Sequence, residues 1–497
     1  MAQRLFMKST FKKILLLLSL GLFLLSCNLT NPKPTAIPTI APTRTAVATP
    51  TPPPTSTPAT EVGASGIGDT YYATLGNGGY DVKSYTIILE VDPSENSLTG
   101  MVKIQATTTQ DLRTFNLDLQ GLDVDAVLVN EEVADFSRSG DELIITPAQP
   151  LESDTSLQVE VQYHGTPELR ASEAVPFKIG WSHSDTGSIN MWGEPVAAST
   201  WFPNNNHPRD KATYRFEITV PNPWIVAATG TLKETNKSGD KTTFVWEMDK
   251  PMATYLASIN IDQYEMVTED GPDDIIIRNY FPKEYPVAER KAYDVIPEML
   301  DFLGDLFGPY PFDEYGVVVA SQDGICEEVD LALETQTLSL HCPVMRFEGV
   351  IVHELAHQWF GDSISLENWQ DVWLKEGFAT YAEWLWESKN DPDIMSQIAR
   401  DTQEKDFDTR YPVAEPSPND IYSVESYWGG ALVLQALREK VGDEVFFDIL
   451  RTYSEKYRYS YAGTDEFIDV AQEVSGQDLT AFFKEWVYST RLPKLPN

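Results

Sequence analysis

Basic residues are scarce in this chain of 497 residues. It contains 37 Lys and Arg against 75 Asp and Glu, which gives a formal net charge of −38 at pH 7. A field of that sign repels phosphate backbones, so nucleic acid is not expected as a partner. Hydrophobic residues still make up 42% of the chain and aromatic residues 11%, which excludes wholesale disorder and predicts more than one packed domain.

Long hydrophobic runs are also missing. A largely apolar stretch near the N-terminus, residues 14–25, has only 12 residues, too few to span a bilayer about 30 Å thick. It follows four basic residues and closes at Leu24-Leu25-Ser26-Cys27, which resembles the lipobox of bacterial lipoproteins. The pattern predicts a signal peptide over residues 1–26 and a lipidated Cys27 that anchors an extracytoplasmic protein to a membrane. A plain secretory signal with an incidental cysteine is the alternative.

Aromatic residues are absent from the next segment. Residues 31–60 contain nine Pro and nine Thr, and they cannot bury enough apolar area to offset the entropy of ordering. We therefore predict a Pro/Thr-rich tether over residues 27–69.

Beyond the tether, the hydrophobic pattern changes period once. Between residues 70 and 265 apolar residues alternate with polar ones, as at Leu157, Val159, Val161 and Tyr163, which predicts an N-terminal all-β domain of antiparallel strands arranged as a saddle or sandwich. Over residues 266–497 the spacing becomes helical, and a few short apolar runs indicate a small sheet. The predicted fold class is a multidomain α and β protein with a mainly helical second domain.

Only six histidines occur in the chain, and two of them stand in one H-E-x-x-H motif. On a helix His353 and His357 share a face and can bind one metal ion, while Glu354 is rotated to the side, where a general base for water is needed. Glu376, nineteen residues after His357, can supply a third ligand. Such a motif arises by chance in roughly one comparable sequence in two hundred. The spacing therefore predicts a His-His-Glu zinc site with one position left for water.

The residues around this motif resemble the gluzincin aminopeptidases, the family of membrane alanyl aminopeptidase and leukotriene hydrolase. The resemblance rests on the segments 352–362, 373–379, 201–213 and 251–256, and it covers roughly residues 70–490. It implies a saddle-like β domain packed on a thermolysin-like catalytic domain, one zinc ion per chain and peptide substrates. Because the chain ends soon after Trp486, it also implies a cleft more open than that of relatives with a large C-terminal domain.

The resemblance assigns further site residues. Glu334 matches a glutamate that binds the free α-ammonium of the substrate, although the Gly, Met and Asn that usually surround it are replaced, and Trp192 falls where many members have an assisting Gln. Tyr427 matches a tyrosine that donates to the oxyanion. Glu383, seven residues after Glu376, lies on the same helical face and could accept a proton from a zinc-bound histidine, with a solvated surface glutamate as the alternative.

Two cysteines, Cys326 and Cys342, flank the Glu334 segment, and the sequence leaves open whether they form a disulfide or two buried thiols. The predicted function is a zinc-dependent aminopeptidase in which Glu354 is the general base. An endopeptidase or an epoxide hydrolase on the same site, or an inactive tethered peptide-binding protein, are the alternatives.

Overall fold

The computed structural model describes residues 62–404 and 410–495. The predicted signal peptide, Cys27 and the greater part of the predicted tether lie outside these residues. In the part of the chain that is described, no helix has both the length and the apolar character needed to cross a membrane.

The N-terminal half consists of strands. They are β1 (Tyr80–Asp92), β2 (Ser97–Thr108), β3 (Phe115–Asp118), β4 (Asp123–Val129), β5 (Glu132–Val133), β6 (Asp135–Ser139), β7 (Glu142–Thr146), β8 (Ser156–Gly165), β9 (Leu169–Ala171), β10 (Lys178–His183), β11 (Ile189–Trp192), β12 (Ala212–Pro221), β13 (Ile225–Ala228), β14 (Thr231–Ser238), β15 (Lys241–Met252) and β16 (Ile259–Asp262).

These strands form three sheets. The largest has eight strands in the order β14-β15-β12-β1-β2-β8-β4-β5, a second has the order β13-β16-β11-β10-β9, and a third the order β3-β7-β6. The pairing is antiparallel except between β1 and β12, which run parallel with Tyr85 opposite Tyr214. The predicted β-rich domain is confirmed, with this one parallel pair as an exception to the expected topology.

Strict alternation builds the core of this domain. In β8 the side chains of Leu157, Val159, Val161 and Tyr163 are buried while the residues between them are partly exposed. The same period places Tyr85 and Tyr214 in a stacked pair at 5.0 Å between neighbouring strands. Burial of one face of each strand supplies the main stabilisation of such sheets.

The second half is mainly helical. Its helices are α1 (Val287–Arg290), α2 (Ile296–Phe307), α3 (Ile325–Glu328), α4 (Glu348–Ala356), α5 (Trp373–Ser388), α6 (Pro392–Gln403), α7 (Gly430–Val441), α8 (Asp443–Lys456), α9 (Thr464–Ser475) and α10 (Thr480–Trp486). Its strands are β17 (Tyr264–Asp270), β18 (Ile276–Pro282), β19 (Glu314–Tyr315), β20 (Val317–Val319), β21 (Ala332–Leu333), β22 (Ser339–His341), β23 (Ser365–Leu366) and β24 (Tyr461–Ala462).

Six of these strands form a small mixed sheet in the order β17-β18-β20-β22-β21, with β19 paired to β18. Next to it, α5 and α7 approach each other closely at two glycines. A Cβ atom on Gly377 would lie 2.7 Å from the Cα of Gly430, so a larger residue at this crossing would force the two helices apart. The close contact brings the segment before α7 next to α5.

Two of the predicted domain limits differ from the structure. The sequence predicts a tether that reaches residue 69. In the structure the chain already contacts the β domain at Val62, which bridges to Thr114, and the side chain of Asp69 is buried. The boundary predicted between residues 265 and 266 falls inside β17, which pairs along its whole length with β18 of the second sheet. Periodicity alone does not reveal either contact, because the partner residues are distant in sequence.

Candidate metal centre and substrate recess

The two motif histidines lie at the end of α4. Ile351, Val352 and Leu355 are fully buried and fix this helix against the core. His353 is in the last turn and His357 directly follows the helix with αR backbone angles, so both imidazoles lie on one side, with ring centroids 4.8 Å apart.

The carboxylate of Glu376 reaches both histidines from the first turn of α5. Its Oε2 atom lies 3.2 Å from Nε2 of His353 and 3.5 Å from Nε2 of His357. One ligand atom from each of the three residues lies within 4.8 Å of the others. Two imidazole nitrogens and one carboxylate oxygen therefore converge on one point.

The outer nitrogens of both imidazoles have acceptors. Nδ1 of His353 lies 2.7 Å from Oε1 of Glu383, and Nδ1 of His357 lies 3.1 Å from the carbonyl oxygen of Phe360. Since a carboxylate and a carbonyl only accept hydrogen bonds, each ring can donate through Nδ1, which would leave the lone pair of Nε2 for a metal ion placed between the rings and Glu376. This donor set fits zinc, which prefers nitrogen and oxygen ligands of this kind.

Glu354 lies beside the donor set and is buried. A carboxylate oxygen of Glu354, one of Glu334 and a nitrogen of His357 lie within 4.8 Å of one another. Burial raises the pKa of Glu354 to about 8; the imidazole of His353 lowers it, and the charges of Glu334 and Glu376 raise it further.

Glu334 lies directly after the two-residue strand β21. The chain turns there, with the amide of Leu338 donating to the carbonyl of Thr335, and Nε2 of Gln358 donates to the carbonyl of Glu334 at 3.2 Å. Burial raises the pKa of Glu334, but the ammonium of Lys375 and the imidazole of His357 outweigh burial and leave that pKa below its ordinary value.

The structure adds two residues that sequence reasoning missed, Lys375 and Glu194. The buried Nζ of Lys375 lies 2.7 Å from Oε1 of Glu334, 2.6 Å from Oε1 of Glu376 and 2.5 Å from Oε1 of Glu194. The resemblance pointed to Trp192, which is buried. The carboxylate that reaches the site belongs to Glu194, two residues further on. We call the space bounded by Glu194, Glu334 and Lys375 the acidic recess.

Other residues of the β domain hold the chain that follows the metal motif. Nζ of Lys211 donates to the carbonyls of Asp362 and Ser363, both at 2.8 Å, and the hydroxyl of Tyr255 donates to the carbonyl of Gly361 at 3.3 Å. The β domain therefore supplies both a carboxylate to the recess and support for the motif.

Tyr427 stands on the other side of His353. It belongs to a π-helical turn, Glu425–Gly429, and its ring is stacked on the imidazole with centroids 5.9 Å apart. Burial raises the pKa of Tyr427 well above its ordinary value, so the phenol keeps its proton and can donate it in a hydrogen bond.

A disulfide joins Cys326 and Cys342, whose Cα atoms are 5.5 Å apart. This bond resolves the choice that the sequence left open. It closes the segment that carries Glu334, so the recess wall is tied covalently to the end of β22.

Comparison with known proteins agrees with this geometry. Residues 81–256 match the model of the peptidase M1 N-terminal domain, and residues 291–486 match that of the peptidase family M1 domain. The M1 zinc metallopeptidase of Deinococcus radiodurans superposes with a TM-score of 0.80 and 30% sequence identity, covering 87% of this chain and 99% of that one. A mutant of the same enzyme, solved with a Tyr-Ser-Ala substrate, has the same scores.

The β-rich domain, the helical domain and the His-His-Glu donor set together define a two-domain zinc metallopeptidase with one catalytic zinc ion. The chain belongs to peptidase family M1.

Curated relatives carry aminopeptidase names. Probable aminopeptidase 2 of Sulfurisphaera tokodaii is 26% identical over 439 residues, and leucyl aminopeptidase of Saccharolobus solfataricus is 24% identical over 433 residues. Each match covers 83% of this chain but only 54% of the relative, so the chain spans about half the length of these proteins.

Proposed function

We propose that this protein is a zinc-dependent aminopeptidase that hydrolyses the N-terminal peptide bond of peptides. The observation that carries the proposal is the acidic recess, in which the carboxylates of Glu334 and Glu194 lie beside the metal donor set. Carboxylates at this position favour a free α-ammonium over a blocked N-terminus. The aminopeptidase names of the relatives support the same reading.

His353, His357 and Glu376 would hold the zinc ion, and Glu383 would orient His353 through the Nδ1 hydrogen bond. Bound zinc supplies Lewis-acid polarisation of the scissile carbonyl and lowers the pKa of a water molecule. Neither histidine changes its proton on Nδ1 during turnover, because its acceptor keeps the tautomer fixed.

Glu354 moves the proton. Its carboxylate accepts a proton from the attacking water and then delivers that proton to the departing amine, as a general base followed by a general acid. The position of Glu354 beside the donor set suits both steps, since one carboxylate can reach the water and the departing amine.

Tyr427 and Glu334 act on the two ends of the reacting residue. The phenol of Tyr427 donates a hydrogen bond to the carbonyl oxygen as negative charge develops there. The carboxylate of Glu334 binds the α-ammonium and so places the first peptide bond next to Glu354.

N-terminal blocking tests the proposal directly. One peptide is incubated with the zinc-loaded protein with and without N-acetylation, and products are identified by mass spectrometry. We expect stepwise release of the first residue from the free peptide and little cleavage of the acetylated one. The variant Glu334→Ala should lower kcat/KM for the free peptide by about 10², whereas Glu328→Ala, a matched change at an exposed residue of the same disulfide loop, should not.

The other outcomes each point to one alternative. Internal or equal cleavage of the acetylated peptide would make the protein an endopeptidase. Hydrolysis of an epoxide without peptide cleavage would make it an epoxide hydrolase, and zinc-free, inactive protein would support a peptide-binding role.

We also propose that the protein is an extracytoplasmic, membrane-anchored bacterial lipoprotein whose Cys27 is lipidated. The apolar run 14–25 that ends at Cys27 supports this, and the disulfide is typical of an oxidising compartment. Acyl labelling of the expressed protein should modify Cys27 and disappear in Cys27→Ser. An intact mass with an unmodified Cys27 would contradict it.

A further inference from the structure

One buried ammonium group touches both the metal donor set and the acidic recess. The side chain of Lys375 is fully buried, and its three nearest charged partners are one oxygen each of Glu376, Glu334 and Glu194. The ammonium donates hydrogen bonds to Glu334 and Glu376, and Glu194 is its third ion-pair partner.

Lys375 contacts a particular oxygen atom of the metal ligand Glu376. It contacts Oε1 of Glu376, while Oε2 of the same carboxylate faces both histidines. The ammonium therefore fixes the rotation of this carboxylate so that one oxygen is directed at the metal position. Lys375 also contacts Oε1 of Glu334 and Oε1 of Glu194, so one ammonium joins the two recess carboxylates to the metal ligand.

We propose that Lys375 is a positioning residue, which orients Glu334 and Glu194 for the α-ammonium of the substrate and joins them to the metal ligand Glu376. The inference rests on the proposed aminopeptidase function. It assigns to Lys375 no contact with the reacting atoms and no proton transfer.

Removal of the ammonium should affect the metal ligand Glu376 differently from the recess carboxylates Glu334 and Glu194. Three buried carboxylates would then face one another without a shared cation, and like charges so close repel strongly. Glu376 remains held by the metal ion, whereas Glu334 and Glu194 are free to turn away or to take up protons. Amine recognition should fail while zinc is retained.

Lys375→Met tests this, because methionine is of similar length and carries no charge. L-Leucinamide and N-acetyl-L-leucinamide are titrated calorimetrically into zinc-loaded and zinc-depleted protein, and the zinc content is measured. We expect the unaltered protein to bind the free amine about tenfold or more tightly than the acetylated compound. The variant should lose most of that preference in both metal states, keep about one zinc per chain, and show a raised KM with a smaller change in kcat for free peptides.

Lys211→Met is the matched control, because Lys211 is also a largely buried lysine but donates to backbone carbonyls of the catalytic domain, not to recess carboxylates. It should lower the melting temperature and keep the amine preference. If Lys375→Met does not fold, Lys375→Gln provides the same comparison with a polar side chain, and it too should retain zinc and lose the preference.

Three results would overturn the inference. The first is a Lys375→Met protein that keeps the amine preference or binds the amine more tightly. The second is a Lys375→Met protein that loses zinc together with the preference, because Lys375 would then support only the metal ligand. An unaltered protein without amine preference is the third, and it would overturn the proposed function as well, so the two failures are distinguishable.

Discussion

Two buried carboxyl groups of the β domain and two of the metal centre are in opposite electrostatic states. In the β domain, Asp118 and Asp210 are buried beside asparagines and backbone amides, and burial raises the pKa of each to about 8. In the catalytic domain, Glu334 and Glu376 are equally buried, yet their pKa values are lowered, because Lys375 and the histidines outweigh the effect of burial. Burial alone therefore does not decide the state of these carboxyl groups, because nearby cations can outweigh it.

The partners explain what each set does. Asp118 accepts hydrogen bonds from Nδ2 of Asn77 at 3.1 Å and from the amide of Asn206 at 2.9 Å, so its role is to join segments of the β domain. The catalytic carboxylates instead converge on positions where a metal ion and a substrate ammonium would bind. Asp118 is thus a structural group of the β domain, whereas the charges that ligands would complete lie in the catalytic domain and at Glu194.

The largest effect is expected at the proton-transferring carboxylate. Glu354→Gln keeps the shape of the side chain and all three zinc ligands but cannot accept a proton, so kcat should fall by about 10³ while zinc content stays near one. Steady-state kinetics and metal analysis measure the two quantities on the same sample. Glu348→Gln, at the start of the same helix, is the control. Substantial residual kcat in Glu354→Gln would refute the role of this residue.

The next largest effect is expected from removal of the disulfide, which lies in the catalytic domain. The combined change Cys326→Ser and Cys342→Ser should lower the free energy of unfolding by about 3 kcal/mol, since it frees a loop of 16 residues in the unfolded chain. Urea unfolding measures this. In unfolded, unreduced protein neither cysteine should react with a thiol reagent, and labelling of both would contradict the bond.

Tyr427→Phe removes one hydroxyl beside His353 and should lower kcat by about 10² with little change in KM, because the hydrogen bond forms only as the oxyanion develops. The control is Tyr381→Phe, whose hydroxyl donates to Gln435. Equal kcat values for Tyr427→Phe and the unaltered protein would remove Tyr427 from the mechanism.

The last prediction concerns the pH dependence of stability that a buried carboxyl group of the β domain, Asp118, produces. The pKa of Asp118 is about 8 in the folded protein against 3.8 ordinarily, so the native state binds a proton that the unfolded chain releases. The stability from that proton is present below about pH 4 and is lost as the pH rises toward 8. Asp118→Asn should therefore raise the free energy of unfolding at pH 8 relative to the unaltered protein and leave it nearly unchanged at pH 4.

Denaturant unfolding at both pH values measures this difference. Asp135→Asn, at an exposed residue of β6, should leave the pH dependence as it is. A destabilised Asp118→Asn protein at pH 8 would mean that Asp118 is ionised in the native state, like Glu334 and Glu376.

The sequence by itself determined whatever depends on spacing within one element. Alternation over residues 157–163 predicted a half-buried strand, and a separation of four residues on a helix predicted that His353 and His357 share a face, where the structure has them. The sequence did not decide whether Cys326 and Cys342 form a disulfide, because spacing does not show whether two cysteines are in contact.

Only the tertiary structure decided the contacts between distant segments. Glu194 comes from the β domain and Lys375 from α5, and no periodicity relates them to each other or to Glu334. Asp69, assigned to the tether, accepts from the amide of Trp369, 300 residues away in the chain. Such contacts depend on which faces of separate elements pack together, and hydrophobic packing across domains, unlike the geometry of a single helix or strand, leaves no regular spacing in the sequence.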